Sequence, residues 1–224
     1  MGKLIVIEGL DGSGKNTQTK LLLKYLDTIG VKNKYITFPN YDSPSSSLIK
    51  MYLNSEFGSE PDSVNAYAAS SFYAVDRFAS FKKFWQKEYN ENYVILCDRY
   101  ATSNAIYQMC KLPENEWNAY LTWLSDYEYH KLGLPKPDKV IYLSVPIEIS
   151  QSLLTKRYMG NEEQKDIHES NLNFLKNCKK AAEYVGGAQG WDKIECAENG
   201  VMRSVDDIHK DIVDVLKEGA VYET

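Results

Sequence analysis

Lys3-Leu4-Ile5-Val6-Ile7-Glu8-Gly9-Leu10-Asp11-Gly12-Ser13-Gly14-Lys15-Asn16-Thr17 is the stretch whose reading decides the fold. Its first six residues form a short, β-branched and almost unbroken apolar run, the pattern of a parallel strand buried on both faces. Gly-x-x-x-x-Gly-Lys follows at once over Gly9 to Lys15, and Asn16-Thr17-Gln18-Thr19 opens a helical stretch. Strand, glycine loop and helix in that order can wrap a polyanion. The glycines let backbone N–H groups turn inward, the helix N-terminus adds partial positive charge, and Lys15 reaches the outer phosphates. Gly9, Asp11, Gly12, Ser13, Gly14, Lys15, Asn16 and Thr17 are therefore the candidate nucleotide-phosphate residues. The residue after the lysine is normally a Ser or Thr whose hydroxyl ligates Mg²⁺, and here it is Asn16. Either its amide oxygen, also a hard ligand, takes that place, or a water intervenes.

Working outward, the chain of 224 residues has the length of one domain, 1–224, with room for a small mobile insertion. Hydrophobic content of 43% and charged content of 25% are ordinary globular values. A net charge of −5 argues against a general nucleic-acid-binding surface, so a nucleotide site must concentrate its basic residues locally. Cys97, Cys110, Cys178 and Cys196 show neither CxxC nor metal-ligand spacing. The N-terminus reads as a strand rather than a signal peptide, and no apolar run reaches membrane-spanning length. The expectation is a cytoplasmic protein with free thiols, no nucleic-acid partner and no membrane attachment.

Periodicity and breakers predict helices over 17–29, 48–53, 64–89, 103–111, 114–132, 146–157, 166–185 and 205–217. Strands are predicted over 3–8, 34–38, 93–97, 139–145 and 192–196. Strands alternating with helices imply an α/β fold: three layers, a five-stranded parallel sheet with helices on both faces. Ligands of such sheets gather at the carboxyl ends of the strands, where the loops 9–15, 39–47 and 98–104 converge.

The third predicted strand runs into Asp98-Arg99-Tyr100. An acidic residue closing an apolar strand is the usual partner of a phosphate loop, holding the metal or its water shell. Arg99 beside it suits bidentate phosphate contact. Asn16 and Asp98 are the candidate metal ligands. With EGLDGSGKNTQ (8–18), TFP (37–39), SFYAVDR (71–77), CDRYATSNAIYQ (97–108) and KRYMGNEEQKDIHE (156–169), the chain resembles the thymidylate kinases of the P-loop nucleoside-monophosphate kinase family. That resemblance implies ATP and Mg²⁺, with dTMP phosphorylated to dTDP.

Carried onto this sequence, the resemblance implies that Asp11 bonds the acceptor's 3′-hydroxyl or helps hold the metal. Phe72 would stack on thymine, Arg77 bond its exocyclic oxygen and Asn104 read the base edge. Tyr107 would pack where a 2′-hydroxyl would sit. Ser103, Gln108, Tyr100 and the Phe38-Pro39-Asn40 turn would complete the pocket, and Arg99 would bridge donor and acceptor phosphates. Residues 156–169 would form a short mobile lid. The family takes a transition-state arginine from the phosphate loop or from the lid. The loop position is Gly12, so Arg157 is implied. Asn40 stands where the family commonly has arginine, and Asp166-Ile167-His168-Glu169 lacks the arginine of the lid's Asp-Arg-x-Glu pattern. The aromatic-rich helix 64–89 and the resemblance together imply a homodimer.

Two other readings compete. A deoxynucleoside kinase on the same fold would use Asp98 as a base on a sugar hydroxyl, but the acidic residue inside the loop and the short lid favour a monophosphate acceptor. A non-catalytic, switch-like nucleotide-binding module would want Asn-Lys-x-Asp on a late strand, whereas Asn33-Lys34 lies at the second strand and lacks the Asp.

Overall fold

β1 (Lys3–Glu8) is buried at every position but Lys3, because it lies in the middle of the sheet. The computed structural model describes residues 1–159, 167–169 and 171–219, and the backbone alone of Arg157. β1 leads to α1 (Lys15–Thr28), β2 (Asn33–Thr37), α2 (Ser47–Leu53) and α3 (Ala66–Ser80). α3 runs through a π-helical turn (Phe81–Trp85) into α4 (Gln86–Asn90), and β3 (Val94–Asp98) and α5 (Ala101–Tyr107) follow. Next come α6 (Trp117–Ser125) with a second π-helical turn (Asp126–Lys131), β4 (Lys139–Ser144), α7 (Ile147–Arg157) and α8 (Leu172–Gln189). β5 (Asp192–Glu195), the small hairpin of β6 (Ala197–Glu198) and β7 (Val201–Met202), and α9 (Val205–Glu218) complete the order.

The five main strands pair in the order β2-β3-β1-β4-β5, all in parallel. Strand alternation divides the core between the two faces. Leu4, Val6, Ile95, Cys97, Val140 and Tyr142 pack with side chains of α5, α6 and α8. Ile5, Ile7, Leu96, Ile141 and Leu143 pack with Leu22 and Leu26 of α1 and Ile208, Ile212 and Leu216 of α9. Each fully buried Leu, Ile or Val contributes roughly 1.5–3 kcal/mol, against about 1 kcal/mol for one helix cap. The central strands therefore dominate the choice of fold. A third, smaller cluster joins Ile49, Tyr52 and Leu53 of α2 to Ala69 of α3 and to Ile167.

The element order matches the expectation, and the differences are local. α3 starts at Ala66 with Asn65 as its cap, because Pro61–Ser63 forms a separate 3₁₀ turn and Val64 is extended. α8 starts at Leu172, capped by the Asn171 side chain, which accepts from the Phe174 N–H at 3.0 Å. Residues 167–169 form a turn ahead of it. β6 and β7 are too short to carry a periodic signal.

Arg77 is buried against an acidic partner in the fold. It is 1% exposed and faces Glu128, which is 0% exposed. Its Nε donates to Glu128 Oε2 at 2.9 Å, its second terminal nitrogen meets Oε1, and its remaining one lies 3.4 Å from the Tyr100 carbonyl. Burial opposes the guanidinium charge, but Glu128 outweighs it and raises the pKa. The pair thus pins α3 to the turn after α6. Removing one partner of such a pair leaves a buried charge alone, at about 3–5 kcal/mol. Glu128→Gln is expected to lower the unfolding free energy measured in urea by about that much, while Lys3→Ala, at the surface pair with Asp138, changes it little. Equal shifts in the two variants would contradict the assignment.

Candidate active site

The phosphate loop is built from backbone conformations that only some residues reach. Gly12 has φ 79°, and a Cβ there would lie 2.4 Å from the Ser150 carbonyl. Position 12 therefore cannot carry a side chain, an arginine included. Lys15 is buried, and its Nζ donates to the carbonyls of Gly9 at 2.9 Å and Leu10 at 3.0 Å. Burial, and then the nearby Arg99 charge, depress its pKa to about 8. Asn16 and Thr17 are exposed on the first turn of α1 and line the groove above the loop, as does Asp98.

A residue that sequence reasoning passed over ties this loop to the next. The Glu8 carboxylate, fully buried, accepts from Thr102 Oγ1 at 2.6 Å, from Ser103 Oγ at 2.8 Å and from the Tyr100 N–H at 3.4 Å. The signal was present: a glutamate closing an apolar strand needs several donors to remain buried. Arg99 turns at φ 65°, unusual for a side chain of its size, and its N–H donates to the Ile7 carbonyl at 3.2 Å. That turn aims the guanidinium at the phosphate loop. It pairs with Asp11, lies 3.4 Å from Ser103 Oγ and 3.3 Å from Tyr107 Oη, and sits 5.0 Å from the centre of the Tyr107 ring. Tyr107 donates to the other Asp11 oxygen at 3.0 Å. Burial works against the Asp11 charge, but Arg99, Lys15 and the Tyr107 hydroxyl outweigh it and hold the carboxyl at about 2.

Two concavities meet at this cluster. An inner cavity is lined by Leu53, Tyr73, Ser103, Asn104, Tyr107, Gln108 and His168. An open groove runs over residues 12–17, Thr37, Phe38, Asp98, Tyr158 and Glu169. Asp11, Pro39, Tyr41 and Arg99 line both. Gln108 is 1% exposed and its Oε1 has no partner. Asn104 is held by Nδ2 bonds of 3.2 Å to the Ser70 carbonyl and to Glu128.

Several predicted site residues lie elsewhere. Phe72 packs against Phe57 at 5.9 Å, outside the cavity lining, and Tyr73 faces the cavity instead. One residue along a helix is a turn of 100°, so these neighbours cannot share a face. Arg77 is also absent from the lining, being sealed against Glu128. Tyr100 is fully buried, packs on Phe38 and Trp85 and donates to the Pro135 carbonyl at 2.9 Å. It supports the site from behind. Asn40 lies in neither lining, and its N–H donates to the buried Asp76 at 2.9 Å. The lid candidates Gly160, Lys165 and Asp166 and the Arg157 side chain lie outside the described residues. Ile167, in the place of the family's lid arginine, is a buried apolar plug in the third cluster. Tyr41 and Leu53 lie outside every motif in the sequence, whereas Tyr73 falls within SFYAVDR and Tyr158, His168 and Glu169 within the 156–169 stretch, none of them with a role assigned from sequence.

A parallel sheet in this strand order, with a glycine loop after β1 and an Asp-Arg pair after β3, defines a P-loop NTPase fold. Comparison with known proteins narrows this. The thymidylate kinase family model matches residues 7–212. A thymidylate kinase of Plasmodium falciparum is 32% identical over 218 residues, covering 95% of this chain and 88% of that protein. One of Mycobacterium tuberculosis is 34% identical over 194 residues, covering 84% and 87%. The solved thymidylate kinase of Candida albicans, described as revealing the origin of broad substrate specificity, superposes with a TM-score of 0.74. It shares 23% identity and covers 99% of this chain and 94% of its own, and shows the common fold. The chain belongs to the thymidylate kinase family.

Lys15 supplies a test of the loop. A polyphosphate drawn into it restores the charge that burial has weakened, so binding at alkaline pH takes up protons. Calorimetry of ADP binding at about pH 8.5, in buffers of different ionisation enthalpy, is expected to show net proton uptake. Lys15→Met should show none. No uptake by the unaltered protein would contradict the depressed lysine.

Proposed function

We propose that this chain transfers the γ-phosphoryl group of ATP to dTMP, giving dTDP and ADP, on the way to dTTP. The observation that carries this reading is Arg99, held by Asp11, Ser103 and Tyr107 where the groove meets the inner cavity. Both reactants are polyanions, and the acceptor phosphate is already a nucleophile. What is needed is positioning and neutralisation rather than a strong base. Lys15 and the N–H groups of the loop would hold the donor phosphates. Arg99 would exchange part of its pairing with Asp11 for the two phosphates. The acceptor base would enter between Tyr73 and Tyr107, with the free Gln108 Oε1 accepting an N–H from its edge.

Asp98, Asn16 and Thr17 line one groove with oxygen donors only, a set that suits Mg²⁺ completed by water and phosphate oxygens. When bound, that ion offsets phosphate charge. Arg157 ends α7 beside the groove-lining Tyr158, which supports it as the lid arginine. Val75, Phe78 and Phe84 are 51%, 37% and 41% exposed on α3 and the turn after it, which favours a homodimer through this face. No helix among the described residues is long and apolar enough to cross a membrane, in keeping with a single cytoplasmic domain over residues 1–224.

The test is ADP release from Mg·ATP with dTMP, thymidine, dUMP, dGMP, UMP and AMP in turn, beside Arg99→Ala. Preference for dTMP is expected, with a fall of at least about 100-fold in kcat for the variant. Turnover of thymidine but not dTMP would move the reaction to the sugar hydroxyl. Nucleotide binding without turnover would leave a non-catalytic module.

A further inference from the structure

His168 stands in the inner cavity with no role in the scheme above. Its ring stacks on that of Tyr107, at 5.7 Å and 24°, and on that of Phe174, at 4.8 Å and 28°, and the Tyr107 and Phe174 rings lie 6.4 Å apart, so the three form a triangle. It meets Tyr52 edge-on at 5.4 Å, with Nε2 2.9 Å from the Tyr52 hydroxyl. That hydroxyl also receives Lys111 Nζ at 2.7 Å and donates to the Pro61 carbonyl at 2.9 Å. An ammonium can only donate and a carbonyl only accept, so the hydroxyl's one proton goes to Pro61. Nε2 must then carry the ring hydrogen. Burial, and then the Lys111 charge, push the imidazole down to about 3. His168 is therefore a neutral ring in one tautomer and in one place, unsuited to holding phosphate.

Its placement assigns it another task. Tyr107 is the last residue of α5, where the helix gives way to a 3₁₀ turn. Its ring is gripped at the hydroxyl by Asp11 and Arg99 and on its face by His168. Arg99 marks where the acceptor phosphate must sit, and Asn104 and Gln108 line the same cavity. A ring that spans from Asp11 and Arg99 to the neighbour of Gln108 flanks what lies between phosphate and base, the sugar. A ring held at hydroxyl and face cannot swing aside to admit another oxygen. We propose that His168 is a specificity-determining residue of the acceptor pocket, bracing the Tyr107 ring as the wall that excludes a 2′-hydroxyl. This rests on the reading of dTMP as acceptor.

The test compares kcat/KM for dTMP and for 5-methyluridine 5′-monophosphate, which differs from it only by the 2′-hydroxyl. His168→Ala is expected to lower the deoxy-to-ribo ratio by about 10-fold or more. It should do so chiefly by raising the KM for dTMP and lowering that for the ribonucleotide, with the KM for ATP unchanged. His168→Phe keeps a flat ring against Tyr107 and is expected to keep most of the discrimination. His168→Leu fills the space without a flat ring and should behave as Ala if the smaller variant does not fold. Equal loss on both nucleotides in Ala or Leu would mean a structural role only and overturn the inference. A Phe variant as undiscriminating as Ala would overturn it as well. Failure of the unaltered protein to use dTMP would overturn the acceptor reading itself, and shows before any variant is made.

Discussion

The pairing of β1 with β3 is the constraint on which the rest of the site depends. Ile7 lies opposite Asp98 in the parallel register, so the two strands end at the same level. The buried Glu8 carboxylate then draws its hydrogen bonds from Tyr100, Thr102 and Ser103. A carboxylate out of water must be satisfied by several donors, and here all but the Gly9 N–H come from the loop and helix after β3. The phosphate loop and the Asp-Arg turn are consequently one rigid unit. Asp11 and Arg99, far apart in the chain, meet because the strands beneath them are adjacent.

Within that unit, charges are arranged against a shared cost of burial. Lys15 rests on two carbonyls of its own loop, and Asp11 stays ionised because Arg99, Lys15 and Tyr107 surround it. Lys15 and Arg99 are thus held by acceptors that an incoming phosphate can replace. A phosphate oxygen carries the full negative charge that a carbonyl lacks, so exchanging a carbonyl for a phosphate oxygen is favourable for the lysine. Placing the guanidinium and ammonium in advance limits reorganisation during transfer, where most of the barrier lowering is expected.

The parallel sheet, its alternation with helices and the phosphate loop were legible in the sequence because each rests on local pattern: an apolar run, fixed glycines, a lysine at fixed spacing. Arg99 was legible as the residue after a strand-ending acid. The acceptor pocket was less so. Tyr73 rather than Phe72 faces the cavity, and the four-residue spacing from Tyr73 to Arg77 was the available signal, since it places both on one helical stripe. That Arg77 spends its nitrogens on Glu128 depends on a partner 51 residues away, which no window reveals. His168 and Ile167 looked like charged-loop residues and became buried through contacts with α2 and α3. Tertiary burial, rather than spacing, decided these positions.

In the proposed transfer Arg99, released in part from Asp11, joins the two phosphates at the junction of groove and cavity. A crystal structure with Mg²⁺, dTMP and the β,γ-imido analogue of ATP tests it most directly. The account requires the Arg99 guanidinium within hydrogen-bond distance of both the acceptor phosphate and the γ-phosphate, with the thymine ring beside Tyr73 and the Gln108 amide. An Arg99 still paired only with Asp11, with the acceptor phosphate held elsewhere, would contradict it.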